Sequence, residues 1–236
     1  MNKKKKIVIV VIMLVLMIVA ALAMVALNGY PCEDFAKKYI ESTEIVTVEK
    51  IKQGYFFDGE AGDKAFIFYP GAQVEPEAYA PMLHALAEGG IDCFLLEMPL
   101  DFAFLGKDKA TDILSEYQYE TWYVGGHSLG GAMAAKYASE HIDDLDGVIL
   151  LGAYSVDDLD AEHMKVLAIY GSEDRVLNRQ KLSQGMSYMP EEYTEVCIEG
   201  GNHAGFGYYG EQSGDGAAVI SKEEQQQITI EAILEY

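Results

Sequence analysis

The fold is decided by the stretch Thr121-Trp122-Tyr123-Val124-Gly125-Gly126-His127-Ser128-Leu129-Gly130-Gly131-Ala132-Met133-Ala134-Ala135. Its first part is a short apolar run that predicts a β-strand, and its last part is an alanine-rich run that predicts a helix. Between them lies Gly126-x-Ser128-x-Gly130, the pattern of a nucleophile elbow. The strand before it and the helix after it are the context that this pattern requires.

The residue types around Ser128 suit a nucleophile on a sharp turn. The positions two before and two after the serine must be small because the neighbouring strand and helix crowd the turn, and Gly126 and Gly130 occupy them. The helix that follows directs its N-terminal amides and the positive end of its dipole toward the hydroxyl. We therefore interpret Ser128 as catalytic; the alternative is a glycine-rich turn whose serine only caps the helix.

The composition indicates one sizeable domain and argues against nucleic acid as a partner. Half of the 236 residues are apolar, enough for a core. Setting aside the lysines Lys3 to Lys6, 13 of the 17 basic side chains remain against 38 acidic ones, a net charge of −25 that repels phosphates. The cysteines have neither disulfide nor metal-site spacing. Cys93 and Cys197 lie in apolar runs and are expected to be buried.

The N-terminal segment predicts a membrane anchor. Residues 7–27 contain no charged side chain and would span about 31 Å as a helix, which matches a bilayer core. We favour an uncleaved signal anchor over a cleaved signal peptide, whose apolar region is usually shorter. The preceding lysines should stay in the cytoplasm, so that the acidic domain lies outside it. The predicted organisation is thus 1–30 anchor, 31–43 connecting segment and 44–236 domain.

The rest of the chain predicts an α/β fold. An antiparallel pair of strands within 45–57 opens the domain, and strands and helices then alternate, which favours a mostly parallel sheet with helices on both faces. Strands are predicted at 64–69, 92–98, 122–124, 147–151, 166–170 and 194–199, and helices at 76–88, 108–116, 128–141, 179–186 and 222–235.

An acid and a base for Ser128 are predicted beyond the ends of later strands, where the reactive groups of such sheets collect. Asp174 stands four residues past one strand and His203 four residues past the next, each in a loop that contains glycine. A nucleophile needs such a base, and the base needs an orienting acid. The sequence therefore predicts a catalytic triad of Ser128, Asp174 and His203.

Other candidates for these roles fit less well. The rival acids are Glu173, Asp157 and Asp158, and Asp174 itself could be a solvated carboxylate paired with Arg175. Among the histidines, His84 and His141 belong to helices and are expected at the surface or as caps, and His163 precedes a strand at the wrong edge. His127 adjoins Ser128, and its side chain should point away and pack against the sheet.

An oxyanion hole needs two backbone amides near the developing negative charge. We predict that Leu129, directly after the nucleophile, supplies one amide and that Ala72 supplies the other. Ala72 lies in the loop after the first parallel strand, where Gly71 lets the backbone approach a substrate. The alternative for this loop is an ordinary proline–glycine turn.

Three separated motifs resemble the α/β-hydrolase superfamily, and more closely a bacterial group related to dienelactone hydrolases. They are Phe68-Tyr69-Pro70-Gly71-Ala72-Gln73-Val74 with Pro76-Glu77-Ala78-Tyr79-Ala80-Pro81, then Gly125-Gly126-His127-Ser128-Leu129-Gly130-Gly131-Ala132-Met133-Ala134, and finally Gly201-Asn202-His203-Ala204 with Phe206-Gly207, Tyr209-Gly210 and Gly214-Asp215. The resemblance implies the α/β-hydrolase fold and the same triad. Dienelactone hydrolases proper use a cysteine where this chain has Ser128, so their substrate is not carried over. Gly205 stands where a larger polar residue is expected.

These features predict a serine hydrolase that cleaves a carboxylic ester or a related acyl bond of a small-molecule substrate. Its mechanism requires no metal and no cofactor. The loop 204–216 is expected to border the pocket, with Gly71 and Phe206 contacting substrate; packing is the alternative for its aromatic residues. The alternative functions are an acyltransferase at the cell surface and an inactive, membrane-tethered binding domain.

Overall fold

A computed structural model describes residues 5–6, 9–14, 17, 29–59 and 62–236. Its centre is an eight-stranded sheet with the strand order β1-β2-β4-β3-β5-β6-β7-β8. The strands are β1 Thr47–Ile51, β2 Gly54–Asp58, β3 Lys64–Tyr69, β4 Ile91–Leu96, β5 Thr121–His127, β6 Gly147–Leu151, β7 Lys165–Gly171 and β8 Glu192–Ile198. The first two are antiparallel to their neighbours, and β3 to β8 run parallel.

Helices cover both faces of the sheet. The α-helices are α1 Asp34–Lys37, α2 Ala80–Glu88, α3 Lys109–Glu116, α4 Leu129–Glu140, α5 Arg179–Gly185 and α6 Lys222–Leu234. Single turns of 3-10 helix lie at Lys38–Ile40, Pro76–Tyr79, Pro99–Asp101, Ala103–Leu105, Ile142–Asp144, Met186–Tyr188 and Ala204–Phe206. The predicted α/β fold with a mostly parallel sheet is therefore confirmed.

The central strands are apolar along their whole length because they are covered twice. Phe66 and Phe68 of β3 belong to the core under α2 and α6, whereas Ala65 and Ile67 belong to the core under α3 and α4. Successive side chains of a strand point to opposite faces, so a doubly covered strand needs apolar residues at every position. This explains why uninterrupted apolar runs in the sequence mark the strands.

The predicted membrane anchor, residues 7–27, lies largely outside the described residues. Its described parts, residues 9–14 and 17, are helical. In the described portion of the chain, no helix has the length and apolar character needed to cross a bilayer. Beyond it, the predicted connecting segment 31–43 packs on the domain: Cys32 and Ala36 are buried in the core.

Two predictions about burial are wrong. Cys93 is buried as expected, but Cys197 is exposed. It lies on β8, an edge strand with one neighbour, whose side chains are only partly covered. His84 was expected at the surface and is buried, because Tyr39 of the N-terminal segment and Phe57 of the sheet pack around its ring. The exposure of Cys197 and the burial of His84 both depend on segments that are distant in the sequence.

Candidate active site

Ser128 occupies the strained turn that the sequence predicts. It joins β5 to α4 with φ 55° and ψ −124°, a backbone conformation that residues with a side chain rarely adopt. Its amide donates to the carbonyl oxygen of Leu151 at 2.9 Å, and its own carbonyl oxygen accepts from Ala132 at 3.1 Å. These bonds fix the turn between the sheet and the helix, and they leave the side chain of Ser128 beyond the carboxyl end of the strand.

The glycines on either side of Ser128 are required by close backbone contacts. A Cβ on Gly126 would lie 2.2 Å from the carbonyl oxygen of Tyr69, and one on Gly130 would lie 2.1 Å from the same oxygen. Both distances are shorter than any tolerable contact. The Gly-x-Ser-x-Gly spacing therefore follows from the approach of β3 to both sides of the elbow.

His203 and Asp174 form a buried pair. Nδ1 of His203 lies 2.7 Å from Oδ2 of Asp174, and both side chains are almost completely shielded from solvent. The other oxygen, Oδ1, accepts hydrogen bonds from the amides of Val176 at 2.9 Å and Leu177 at 2.8 Å. A carboxylate fixed on both oxygens holds the imidazole in one orientation. The rival acids Glu173, Asp157 and Asp158 do not contact it.

The structure brings His203 and Ser128 to one cavity of about 230 Å³. Its walls are formed by Ser128, Leu129, Ala132, Gly152, Ala153, Tyr154, Val176, Leu177, Asn178 and His203. Nε2 of His203 is buried and has no hydrogen-bond partner within the described ranges, Ser128 included. Such contacts often tighten only when substrate binds. Three groups far apart in sequence thus converge at one edge of the sheet.

Polar contacts that the sequence analysis missed hold the loop of His203. Both backbone groups of Asn202 are bonded to the Gln225 side chain of α6, its amide to Oε1 at 3.0 Å and its carbonyl oxygen to Nε2 at 2.8 Å. Asp215 accepts from the amides of Ala204 at 2.9 Å and Gly216 at 2.7 Å. Asn202 and Asp215 both stand in the third motif, whereas nothing in the sequence marked Gln225.

Gly152 and Gly205 also shape the site. Neither glycine was assigned a structural role from the sequence. Gly152 has φ +53°, and a Cβ there would lie 3.0 Å from Nδ1 of His203. A Cβ on Gly205 would lie 2.1 Å from Oε1 of Gln225. A side chain at position 205, where a larger residue was expected, would therefore displace the Gln225 side chain that holds the His203 loop.

The loop after β3 leaves one amide uncommitted. Pro70 has no amide hydrogen, Gly71 donates to the hydroxyl of Tyr79 at 3.1 Å, and Gln73 donates to the carbonyl oxygen of Asp101 at 2.8 Å. In the part of the chain that the structure describes, Ala72 donates no hydrogen bond. The second predicted donor, Leu129, is the first residue of α4, a position whose amide has no acceptor within its helix.

His127 packs inward, as expected for the neighbour of the nucleophile. Its side chain is fully buried, Nδ1 lies 2.8 Å from the hydroxyl of Tyr79, and its ring centroid is 4.5 Å from that of His203. Burial lowers the pKa of His127 well below its ordinary value, and the nearby His203 lowers it further. A neutral ring therefore stands beside the candidate base.

The two residues predicted to contact substrate do not line this cavity. Phe206 is completely buried and packs against the ring of His127, at 5.6 Å between centroids. Gly71 is buried as well, and a Cβ there would meet the Tyr79 hydroxyl at 2.8 Å. Tyr208 and Tyr209 of the same loop are buried too. Packing, the alternative stated for these aromatic residues, is what the structure favours.

No metal cluster accompanies the site. Within the ranges described above, no three His, Cys, Asp or Glu side chains are arranged to hold an ion.

Comparison with solved structures shows which fold this is. A dienelactone hydrolase from Anabaena variabilis superposes with a TM-score of 0.60 at 16% identity, covering 82% of this chain and 99% of its own. A predicted CIB-like hydrolase from Thermoplasma acidophilum gives 0.60 at 13% identity, covering 81% of this chain and 100% of its own. Est1E from Butyrivibrio proteoclasticus, bound to ferulic acid, gives 0.56 at 15% identity, covering 73% of this chain and 88% of its own.

Sequence comparison agrees. Among curated proteins, none matches the sequence. The model of the alpha/beta hydrolase family matches residues 65–227, which contain the elbow, the Asp174 loop and the His203 loop. The predicted superfamily is thereby confirmed, and the chain belongs to the alpha/beta hydrolase family.

Proposed function

We propose that this protein is a serine hydrolase that cleaves a carboxylic ester of a small molecule through an acyl-enzyme. Ser128 is the nucleophile, His203 the general base and Asp174 the orienting acid. One observation carries the proposal: His203 is bonded to Asp174 through Nδ1 at 2.7 Å, while its Nε2 is buried without a partner on the wall of the cavity that contains Ser128. In the described part of the chain His84 and His127 also have a buried Nε2 without a partner, but neither lines that cavity, which distinguishes His203 from them.

The proposed reaction has two half-reactions. Nε2 of His203 takes the proton of the Ser128 hydroxyl as Oγ attacks the ester carbonyl, and it then gives this proton to the departing alcohol. Water next attacks the acyl-enzyme, with His203 taking its proton and returning it to Oγ as the carboxylic acid leaves. Asp174 keeps Nδ1 protonated throughout, and its bonds to Val176 and Leu177 support that role.

The negative charge on the carbonyl oxygen would be stabilised by the amides of Ala72 and Leu129. The uncommitted amide of Ala72 and the position of Leu129 at the start of α4 support this assignment. The cavity suits the part of an ester next to its carbonyl group, since its volume is about 230 Å³ and its walls include Ala132, Ala153 and Leu177. The similarity of the fold to that of esterases such as Est1E supports an ester as the substrate.

The same proposal includes the location of the enzyme in the cell. Residues 7–27 anchor the protein in the cell membrane, the lysines Lys3 to Lys6 lie in the cytoplasm, and the domain lies outside it. The length and apolar character of this segment, together with the basic residues before it, support the anchor.

The experiment uses a fluorophosphonate probe and p-nitrophenyl esters on the full chain. We expect the probe to label the protein and a short-chain ester to be hydrolysed, and both to be abolished by Ser128→Ala. The matched control is Ser139→Ala, which changes a serine of the same helix whose hydroxyl donates to the carbonyl oxygen of Lys136. Labelling that persists in Ser128→Ala would overturn the assignment of the nucleophile. Products formed with added alcohols or amines would reveal acyl transfer.

A further inference from the structure

Large apolar side chains are exposed at the edge of the sheet where Ser128 lies. Leu100, Phe104 and Leu105 follow β4, Val156 follows β6, and Val176 follows β7. Their exposed fractions lie between 37% and 60%. All of them come after the carboxyl ends of parallel strands, the edge at which Ser128 lies, and Val176 also lines the catalytic cavity. Exposed apolar residues gathered around a site mark an interaction surface.

Three of these residues belong to one segment, residues 99–105, which we call the apolar loop. Within it, Leu100 and Asp101 have φ values of 54° and 56°, and this left-handed conformation costs about 1 kcal/mol for each residue with a side chain. The backbone of Leu100 is thus strained, and its side chain is exposed and does not pack in the core. The 3-10 turn Ala103–Leu105 packs on α4, the helix that begins at the elbow, so the apolar loop has a fixed position beside the site.

Backbone hydrogen bonds connect the apolar loop to the end of the predicted anchor. The amide of Tyr30 donates to the carbonyl oxygen of Gln73 at 2.7 Å, and the amide of Gln73 donates to the carbonyl oxygen of Asp101 at 2.8 Å. Leu27, the last residue of the predicted anchor, is only three residues before Tyr30, a span of about 10 Å at full extension. An anchor that ends at Leu27 would therefore leave the bilayer close to the catalytic edge.

From these observations we propose that the apolar loop rests on the bilayer that holds the anchor, and that the substrate is an acyl ester resident in that bilayer. This inference rests on the proposed function. The ester enters the cavity from the membrane side, Ser128 takes its acyl group, the alcohol leaves with a proton from His203, and water releases the acid.

The charge of the domain specifies how this surface binds. The chain without its first lysines has a net charge of −25, so anionic headgroups repel it. Contact with the bilayer must come from apolar insertion, whose strength scales with the buried apolar area. A neutral phosphatidylcholine membrane is therefore the appropriate probe, and added anionic lipid should weaken the contact.

The first experiment measures orientation and does not depend on activity. The full chain is reconstituted in phosphatidylcholine vesicles with brominated acyl chains, which quench nearby indoles. Trp122, the single tryptophan, is mostly buried at the start of β5 and supplies the background. Phe104→Trp should add fluorescence that is quenched at least about twofold more than the fluorescence added by Tyr188→Trp, an exposed position at the opposite edge. Equal quenching would overturn the inference.

The second experiment measures substrate class. Phe104→Ser/Leu105→Ser should reduce hydrolysis of a long-chain ester embedded in the vesicles about tenfold and leave hydrolysis of p-nitrophenyl acetate within about twofold. The control Met186→Ser/Tyr188→Ser changes exposed apolar residues away from the site and should alter neither rate. If the double variant hydrolyses the embedded ester at an unchanged rate, the inference is overturned and the proposed function is not affected. If the unmodified chain hydrolyses neither ester, the proposed function fails, and the quenching experiment still reports the orientation.

Discussion

The hydroxyl of Tyr79 lies 2.8 Å from Nδ1 of His127, the residue directly before Ser128. The same hydroxyl accepts a hydrogen bond from the amide of Gly71 at 3.1 Å. It can therefore donate its own proton to His127, since an oxygen that accepts from Gly71 still has a hydrogen to give. One buried phenol thus connects the elbow to the loop that carries Ala72, and it sets the separation of the two amides assigned to the oxyanion.

Removal of this hydroxyl should impair turnover more than substrate binding. We expect Tyr79→Phe to cost about 1–3 kcal/mol of stability, because the Gly71 amide loses its buried partner. With Ala72 displaced, kcat should fall roughly tenfold with little change in KM. Tyr55→Phe, which removes a hydroxyl bonded to Glu77 away from the elbow, should leave kcat unchanged. A normal kcat in Tyr79→Phe at the assay temperature would argue against this connection.

Replacement of Asp174, the proposed orienting acid, should preserve the fold and impair the chemistry. Asp174→Asn keeps the shape of the side chain, but its amide can present hydrogens to Nδ1 of His203 and favour the wrong tautomer. We expect kcat to fall by roughly 10²–10⁴-fold. Ester hydrolysis and the midpoint of thermal unfolding are measured on the same preparation. The control is Glu173→Gln, which changes the acidic residue directly before Asp174. Comparable losses in both variants would contradict the assignment.

The contact between Gly205 and Gln225 can be tested by a double-mutant cycle. Gly205→Ala places a methyl group against Oε1 of Gln225, and we expect it to destabilise the protein by about 1–3 kcal/mol and to lower activity through the His203 loop. In a Gln225→Ala background the same change should cost less, because the clashing atom is gone. Urea unfolding of the four proteins gives the coupling energy. Strictly additive costs would show that the contact does not exist.

Acid should destabilise the protein partly through a buried histidine remote from the site. Burial lowers the pKa of His84, and Glu88 at 3.4 Å offsets this only in part. The folded state therefore prefers the neutral ring, whereas the unfolded chain takes up a proton below about pH 6.5. The contribution of this group is fully present above that pH and is lost as the pH falls, at up to about 1.4 kcal/mol per pH unit.

The measurement is urea unfolding of the unmodified chain and of His84→Gln at pH 7.5 and at pH 5. We expect His84→Gln to be the less destabilised of the two on acidification. Asp92 has a pKa raised by burial and therefore acts in the opposite direction, but it is present in both proteins and cancels in the comparison. A stability difference that is independent of pH would contradict the prediction.

The parts of the fold that were predicted correctly are those that depend on residues close together in the sequence. β6 was predicted at 147–151 and lies at Gly147–Leu151, because a doubly covered strand is apolar at every position. The elbow was predictable since the glycines it needs are fixed by their distance from Ser128 along the chain. Asp174 and His203 were placed by a rule about strand ends, and the structure brings them within hydrogen-bond distance.

What could not be predicted depends on packing between distant segments. Phe206 looked like a pocket residue because it lies close to His203 in sequence, yet its ring turns toward His127 and the core. The helix α6 was predicted from the sequence, but the burial of its polar residues Gln225, Gln226 and Thr229 was not. The two glutamines have their partners on the His203 loop, more than twenty residues earlier in the chain, whereas Thr229 donates to the carbonyl oxygen of Gln225 within the helix. No periodicity in the sequence reveals the pairing of this helix with that loop.

The dependence of the His203 loop on α6 has a consequence for biosynthesis. Gln225 bonds to Asn202, and Gln226 donates to the carbonyl oxygen of Gly205 at 2.9 Å, so residues on both sides of the imidazole are held by a helix translated after all eight strands. A nascent chain can assemble its sheet while its base is still unplaced. We expect the enzyme to remain inert during synthesis until that helix has packed against the sheet.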